Sequence, residues 1–197
     1  YWSDIVRDRD FKVRYEKYHR GNWHYDDTFW TLENGVVKIL EKPAGEDGGK
    51  AVEKLFEFEK VLKDENISNA EKAIAMAWIL HIGGDIHQPL HTSARVTEFE
   101  PKGDQGGNTF LLTPKDTPRN QQENLHWYWD SIVVRNIMRQ KDACDADFLA
   151  PIAQEMMKKH PLSKMQNGLN VGKFDLWQQE SFKIATTELF PPTLIRF

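Results

Sequence analysis

The strictest constraint on this chain lies between Ser68 and His91. Ser68-Asn69-Ala70-Glu71 matches a capping box, and the run from Ala73 to Ile82 that follows is apolar almost all round. A helix with so little polar face has to be covered on several sides, so the pattern predicts a central, buried helix. That helix runs into His81-Ile82-Gly83-Gly84-Asp85-Ile86-His87-Gln88-Pro89-Leu90-His91, which puts three histidines and an aspartate into eleven positions.

His81 and Asp85 are four apart and share one helix face. His91 lies beyond Pro89, which a helix interior rarely tolerates, and so belongs to the turn leaving the helix. Imidazole and carboxylate converging at a helix end suit a zinc ion. A buried His–Asp hydrogen bond would equally offset the desolvation of Asp85. The segment Asn124-Leu125-His126-Trp127-Tyr128-Trp129-Asp130 repeats the four-residue His–Asp spacing amid aromatic rings, which favours a metal site over isolated pairs. His87 faces away from the His81–Asp85 stripe and reads as a surface or supporting residue. His19 and His160 read as surface or hydrogen-bonded histidines.

The 26 lysines and arginines against 30 acids leave a formal charge of −4, which excludes a basic nucleic-acid binder of the counterion-releasing kind. If phosphates are handled, bound metal has to supply the positive charge. Cys144 is the single cysteine, so neither an intrachain disulfide nor a thiolate zinc cluster can form. No run is long and apolar enough to span a bilayer. No signal peptide is visible, yet the chain opens at Tyr1-Trp2-Ser3-Asp4 without a methionine, so a processed start and secretion stay open. Asn66-Ile67-Ser68 fits the N-glycosylation pattern, which matters only in a eukaryotic secretory pathway.

Residues 1–35 are dense in aromatic and charged residues and read as an opening helical turn followed by an irregular segment at 21–25. Pro43–Gly49 is a breaker cluster and a loop. From Lys50, Val52, Leu55, Phe56 and Leu62 have helical spacing. Residues 92–123 read as a long loop with a short strand at 108–112, and loops this long are often functional. Helices are expected at 124–139, 146–160 and 174–189. The fold class is all-α, with residues 1–197 forming one domain.

These segments together resemble one family. His81 to His91, then Asp104-Gln105-Gly106-Gly107-Asn108, then Asn124 to Asp130 are similar to the signature of the zinc-dependent single-strand-specific nucleases and 3′-nucleotidases, which share a fold with zinc phospholipase C. Trp2-Ser3-Asp4 resembles the family's Trp-Ala-Asp element, and Trp23-His24-Tyr25 its Trp-His-Tyr element. The resemblance implies one zinc held by Asp4, His24, His81 and Asp85, and a second by His91, His126 and Asp130. Asp85 would bridge to a third. Asp4 alone would read as a surface acid; the motif promotes it. The family's third zinc uses an N-terminal tryptophan and a histidine shortly after it. Here Trp2 already belongs to the Trp-Ser-Asp element and Val6 and Arg7 offer no ligand. By the resemblance the chain lacks the family's first few tens of residues and its last helix.

The chemistry implied is hydrolysis of single-stranded DNA or RNA and of 3′-nucleotides by a zinc-activated water, with Asp4 and Asp85 in the catalytic set and 5′-phosphate products. Tyr25 is a candidate for base stacking, or else simply packs, with Asp27 placed to accept base hydrogen bonds. Gly106, Gly107 and Asn108 resemble a loop beside the family's site, or form a plain turn. The family implies secretion or a periplasmic location, and no stable partner is implied. Phospholipase C activity is the first alternative, although that branch resembles His-x-x-x-Glu where this chain has Asp130. A non-catalytic zinc protein, its ions only pinning helices, is the second.

Overall fold

The capping box forms as its sequence requires. Ser68 Oγ accepts the Glu71 amide, the Glu71 carboxylate accepts the Ser68 amide, and helix Asn69–Asp85 follows. The computed structural model describes residues 2–132, 146–165 and 169–190. In chain order it has α1 (Trp2–Ile5), α2 (Lys12–Tyr18), a 3-10 turn at Gly21–Trp23, β1 (Thr28–Glu33), β2 (Val36–Ile39), α3 (Ala51–Lys63) and α4 (Asn69–Asp85). A 3-10 turn at Pro89–Thr92, β3 (Ser93–Arg95), a 3-10 turn at Arg119–Gln121 and α5 (Leu125–Asp130) come next. Then follow α6 (Ala146–Lys159), α7 (Leu162–Met165), α8 (Phe174–Ile184) and a π turn at Ala185–Leu189.

The chain is largely helical, but the all-α expectation needs correcting, because a three-stranded sheet of order β2-β1-β3 sits beside the helices. Its signal was present in Asn34-Gly35, which turns the β1–β2 hairpin with both residues at positive φ. The parallel β1–β3 pairing, Thr28 opposite Ser93 through Trp30 opposite Arg95, carries no local signal. It joins strands more than sixty residues apart. The strand expected at 108–112 is reduced to one bridge, Leu111 with Asn124. The segment expected to be irregular at 21–25 contains the Gly21–Trp23 turn. Of the helix expected at 124–139, Leu125–Asp130 is seen, and residues 133–139 lie outside the described residues, as does Cys144.

Trp78 of α4 anchors the larger core, with Ala51, Leu55, Ile82, Ile86 and Phe174 around it. Trp23 and Trp2 meet its indole edge-on at 5.0 and 6.2 Å, so the two aromatic segments that flank α2 are pinned to α4. A second core joins Trp30, Leu90 and Phe190, and Trp30 Nε1 donates to Ser93 Oγ at 2.8 Å. The expectation that α4 is buried all round is overturned in part. Ala75, Trp78 and Ile82 are buried, whereas Met76 is 44% and Leu80 71% exposed. Among the described residues α4 is covered on the side of α1 and α3, which leaves an apolar outer stripe. No helix among the described residues is long and apolar enough to cross a membrane.

Candidate metal centre

Each expected ligand reaches the site through a different device. Asp4 sits on α1, which packs on α4 through Trp2 against Trp78. His24 follows the Gly21–Trp23 turn, its ring edge-on to Trp78 at 5.5 Å. His81 and Asp85 occupy the last turn of α4. His91 lies in the Pro89–Thr92 turn, which opens with the Gln88 side chain accepting the Leu90 amide. His126 and Asp130 share a face of α5, whose first turn is capped by Asn124 accepting from the Trp127 amide.

The sheet brings these turns together. β1 begins four residues after His24 and β3 two residues after His91, so their parallel pairing sets the two histidines side by side. The Asp26 amide donates to the His91 carbonyl at 2.8 Å, and His91 Nδ1 donates to the His24 carbonyl at 2.6 Å.

Two triads result, Asp4–His24–His81 and His91–His126–Asp130, each with its ligand atoms within 4.8 Å of one another. In the first, His81 Nε2 lies 2.9 Å from His24 Nδ1 and 3.7 Å from Asp4 Oδ1. Asp85 joins it, with Oδ2 at 3.0 Å from His24 Nδ1 and 3.1 Å from His81 Nε2. In the second, Asp130 lies 3.0 Å from His91 Nε2 and 3.5 Å from His126 Nε2. Donors around one tetrahedral zinc with bonds near 2.0–2.1 Å stand about 3.3 Å apart. The spacings match.

The second triad gives a sharper test of fit. His126 Nδ1 donates to the Gly106 carbonyl at 2.8 Å, as His91 Nδ1 does to His24. In the neutral rings both Nε2 atoms therefore carry lone pairs, and both face the Asp130 carboxylate. Lone pairs against a carboxylate repel unless a proton or a cation lies between them. Protonating both rings would set two charges 4.7 Å apart. A divalent cation satisfies all three groups together, so the donor set fits a metal.

The electrostatics are consistent. Burial would raise the Asp85 carboxyl, but hydrogen bonds from His24 and His81 and the nearby His91 outweigh it and hold Asp85 well below the usual carboxylate range. Burial likewise opposes the charge on His91, yet Asp130 and Asp85 together raise its pKa. His126 is lowered by burial and by His91. Asp130 is lowered, against its burial, by His91. Asp85 thus bonds to one triad and is electrostatically coupled to the other. Among the described residues no third group of three such ligands occurs.

All seven ligand candidates line one cavity of about 1000 Å³, together with Tyr25, Asp27, Gly106 and Asn108. Gly107 is not brought to the cavity; it packs behind it, near Leu90 and Leu125. Gly106 has φ +62°, and a Cβ there would come within 2.3 Å of the Leu90 carbonyl oxygen, so the residue orienting His126 has to be glycine. The Asn108 side chain donates to the Gln105 carbonyl at 2.9 Å. Burial, then Asp104, pushes the Asp27 carboxyl up to about 8. His87 turns away, with Nδ1 on the Gly83 carbonyl.

Several residues in or beside the cavity escaped the sequence reading. Arg7 stands 3.8 Å from Asp4, and its position one turn after Asp4 was a usable signal. Gln88 Nε2 donates to Asp130 at 2.9 Å and so steadies that ligand. The Pro43–Gly49 loop folds over the cavity edge, where Gly49, at φ +87°, lies too close to the Tyr25 carbonyl for any side chain. Glu46 on this loop pairs with Lys102 at 3.3 Å. Nothing local marks that contact.

Comparison with known proteins assigns the chain to a family. The model of the S1/P1 nuclease family matches residues 1–193. Endonuclease 5 of Arabidopsis thaliana is 33% identical over 70 residues, covering 36% of this chain and 20% of the relative. Endonuclease 4 of the same plant is 32% identical over 65 residues, covering 33% of this chain and 18% of the relative. The matched stretches thus span a fifth or less of these curated relatives, but with the family model matched over nearly all its length, this chain belongs to the S1/P1 nuclease family.

Proposed function

We propose that this chain is a zinc-dependent endonuclease that hydrolyses single-stranded DNA and RNA to 5′-phosphate products and also acts on 3′-nucleotides. The observation that carries this reading is the pair of His/Asp triads opening into one cavity, with Asp85 coupled to both. Asp4, His24, His81 and Asp85 would hold one ion, and His91, His126 and Asp130 another. Bound zinc supplies Lewis acidity toward phosphoryl oxygens and water acidic enough to serve as nucleophile near neutral pH. His91, His126 and Asp130 offer one ion only three protein ligands and leave a tetrahedral position open, which argues against a purely structural metal at that site.

The remaining work falls to the chain's own residues. The carbonyls of His24 and Gly106 fix the tautomers of His91 and His126, and Gln88 holds Asp130, so three ligands are set before substrate arrives. Tyr25 stays neutral, its pKa raised by burial and then by Asp47 and Asp27, and its ring offers a stacking face for a base. Asp27 lines the same cavity, its carboxyl pushed up by burial and then by Asp104, and would take a hydrogen bond from a base edge. Asn108, which lines the same cavity, would contribute a further polar group. A base would have to leave its stack to reach Tyr25 and Asp27, so single strands are the expected substrates. A secreted or periplasmic location fits the reading.

The test compares four substrates with the zinc-loaded chain: a single-stranded oligonucleotide, its duplex, a 3′-nucleotide and phosphatidylcholine. Cleavage of the single strand to 5′-phosphate ends, lost on chelation and restored by zinc, is the expected result. Preferential lipid hydrolysis would instead assign phospholipase C activity, and inactivity on all four with zinc retained would leave a structural metal protein.

A further inference from the structure

Residues 7–20 carry six lysines and arginines against three acids, in a chain whose overall charge is −4. The cations are interleaved with rings. Arg9 lies 5.6 Å from the Tyr15 ring centre, Arg14 4.3 Å from Phe11 and Lys17 5.1 Å from Tyr18. Phe11, Arg14, Lys17 and Tyr18 share one face and line a shallow pocket of about 530 Å³. Phe11 is 57% exposed. Arg14 pairs with Asp8 at 3.8 Å and Lys12 with Glu16 at 3.7 Å, while Arg9 and Lys17 have no acid partner among the described residues. Apart from Arg7, the metal centre uses none of these groups. The ridge nonetheless adjoins it, because Arg7 lines the cavity beside Asp4 and the segment ends at the turn that presents His24.

We infer that α2 and the loop before it form a docking ridge for the part of a single-stranded nucleic acid that extends beyond the cavity. The ridge would hold phosphates on Arg9, Lys12 and Lys17 and a base against Phe11. This rests on the nuclease reading above and extends it to substrate length. Cations resting on ring faces lose less freedom when a phosphate arrives, and an exposed ring beside them offers the stacking surface that every base can use. Charge complementarity names the partner as a polyanion; the alternating rings and the continuity with the cavity favour a nucleic-acid strand over an anionic membrane.

The experiment compares the zinc-loaded full chain with Arg9→Gln/Lys12→Gln/Lys17→Gln and with Phe11→Ala. All four side chains are exposed, so folding is expected to survive. Binding of a fluorescent, hydrolysis-resistant phosphorothioate dT 20-mer is followed by anisotropy across a salt series, and hydrolysis of a thymidine dinucleotide is measured alongside. The expected result is a roughly 10-fold weaker 20-mer for the triple variant, with its log–log salt slope smaller by about 2, from ~0.7 per phosphate contact on a single strand. Phe11→Ala should cost about 5-fold, the lower end of stacking on one base. Dinucleotide kinetics should not move. Unchanged 20-mer affinity overturns the ridge, and so does equal loss for both substrates. Loss of binding to phosphatidylserine vesicles with 20-mer affinity intact would also overturn it, in favour of a membrane surface. Should wild type bind the 20-mer through the ridge yet cleave no dinucleotide, the nuclease reading fails and the ridge stands.

Discussion

Gly106 combines a positive φ with a carbonyl that sets the tautomer of His126, so backbone conformation and ligand geometry meet at one residue. Gly106→Ala should cost about 1–3 kcal/mol, from forced backbone conformation and the clash with Leu90. It should also reduce zinc by one ion per chain, read by elemental analysis, while Asp4, His24 and His81 keep theirs. Full zinc in the variant would mean that the carbonyl does not orient the ligand. Asp27 makes a different prediction. Its folded pKa of about 8 lies far above the unfolded value, so its contribution to stability is present below about pH 4 and is lost as pH rises through 8. Asp27→Asn removes that loss. In chelator, which takes metal out of the comparison, the variant should gain on wild type by about 1–2 kcal/mol, or roughly 5 °C in Tm, between pH 6 and 8.5. Parallel curves would place Asp27 in ordinary solvent.

At the scale of elements, α4 has two sides with opposite sensitivities. Trp78→Ala removes the ring on which Trp2, Trp23 and Phe58 pack and should cost about 3–5 kcal/mol in urea unfolding. Leu80→Gln, on the exposed stripe, should stay within about 0.5 kcal/mol. A large loss there would show that the stripe is covered in solution. Ser68→Ala breaks the capping box and should cost about 1 kcal/mol. The capping box and the four-residue His–Asp pairs were legible because both are local: their partners lie within one turn. The parallel β1–β3 pairing was not, since the three residues of so short a strand as β3 look like loop until Thr28 to Trp30 are known to lie beside them.

For the molecule as a whole, the candidate metal centre would double as a clasp. Its candidate ligands come from α1, the His24 turn, α4, the His91 turn and α5, segments spread over most of the first 130 residues. Ions bound only by the folded chain should therefore stabilise it, by about 4 kcal/mol for each site saturated a thousandfold over its Kd. Chelation should lower Tm accordingly and excess zinc should restore it. An unchanged Tm in chelator would sink the metal assignment.

Pattern alone was enough for the start of α4, the pairing of His81 with Asp85 and of His126 with Asp130, and, through the family's motifs, the recruitment of Asp4 and His24. Each depends on spacing along one helix or on a motif that can be read in order. Long-range packing settled the rest. The sheet sets His91 against the carbonyl of His24, Gly106 turns the ring of His126, and Gln88 steadies Asp130. It also left Met76 and Leu80 exposed on a helix whose composition predicted burial all round. A hydrophobic pattern records which side chains favour leaving water; which of them do so depends on neighbours arriving from distant parts of the chain.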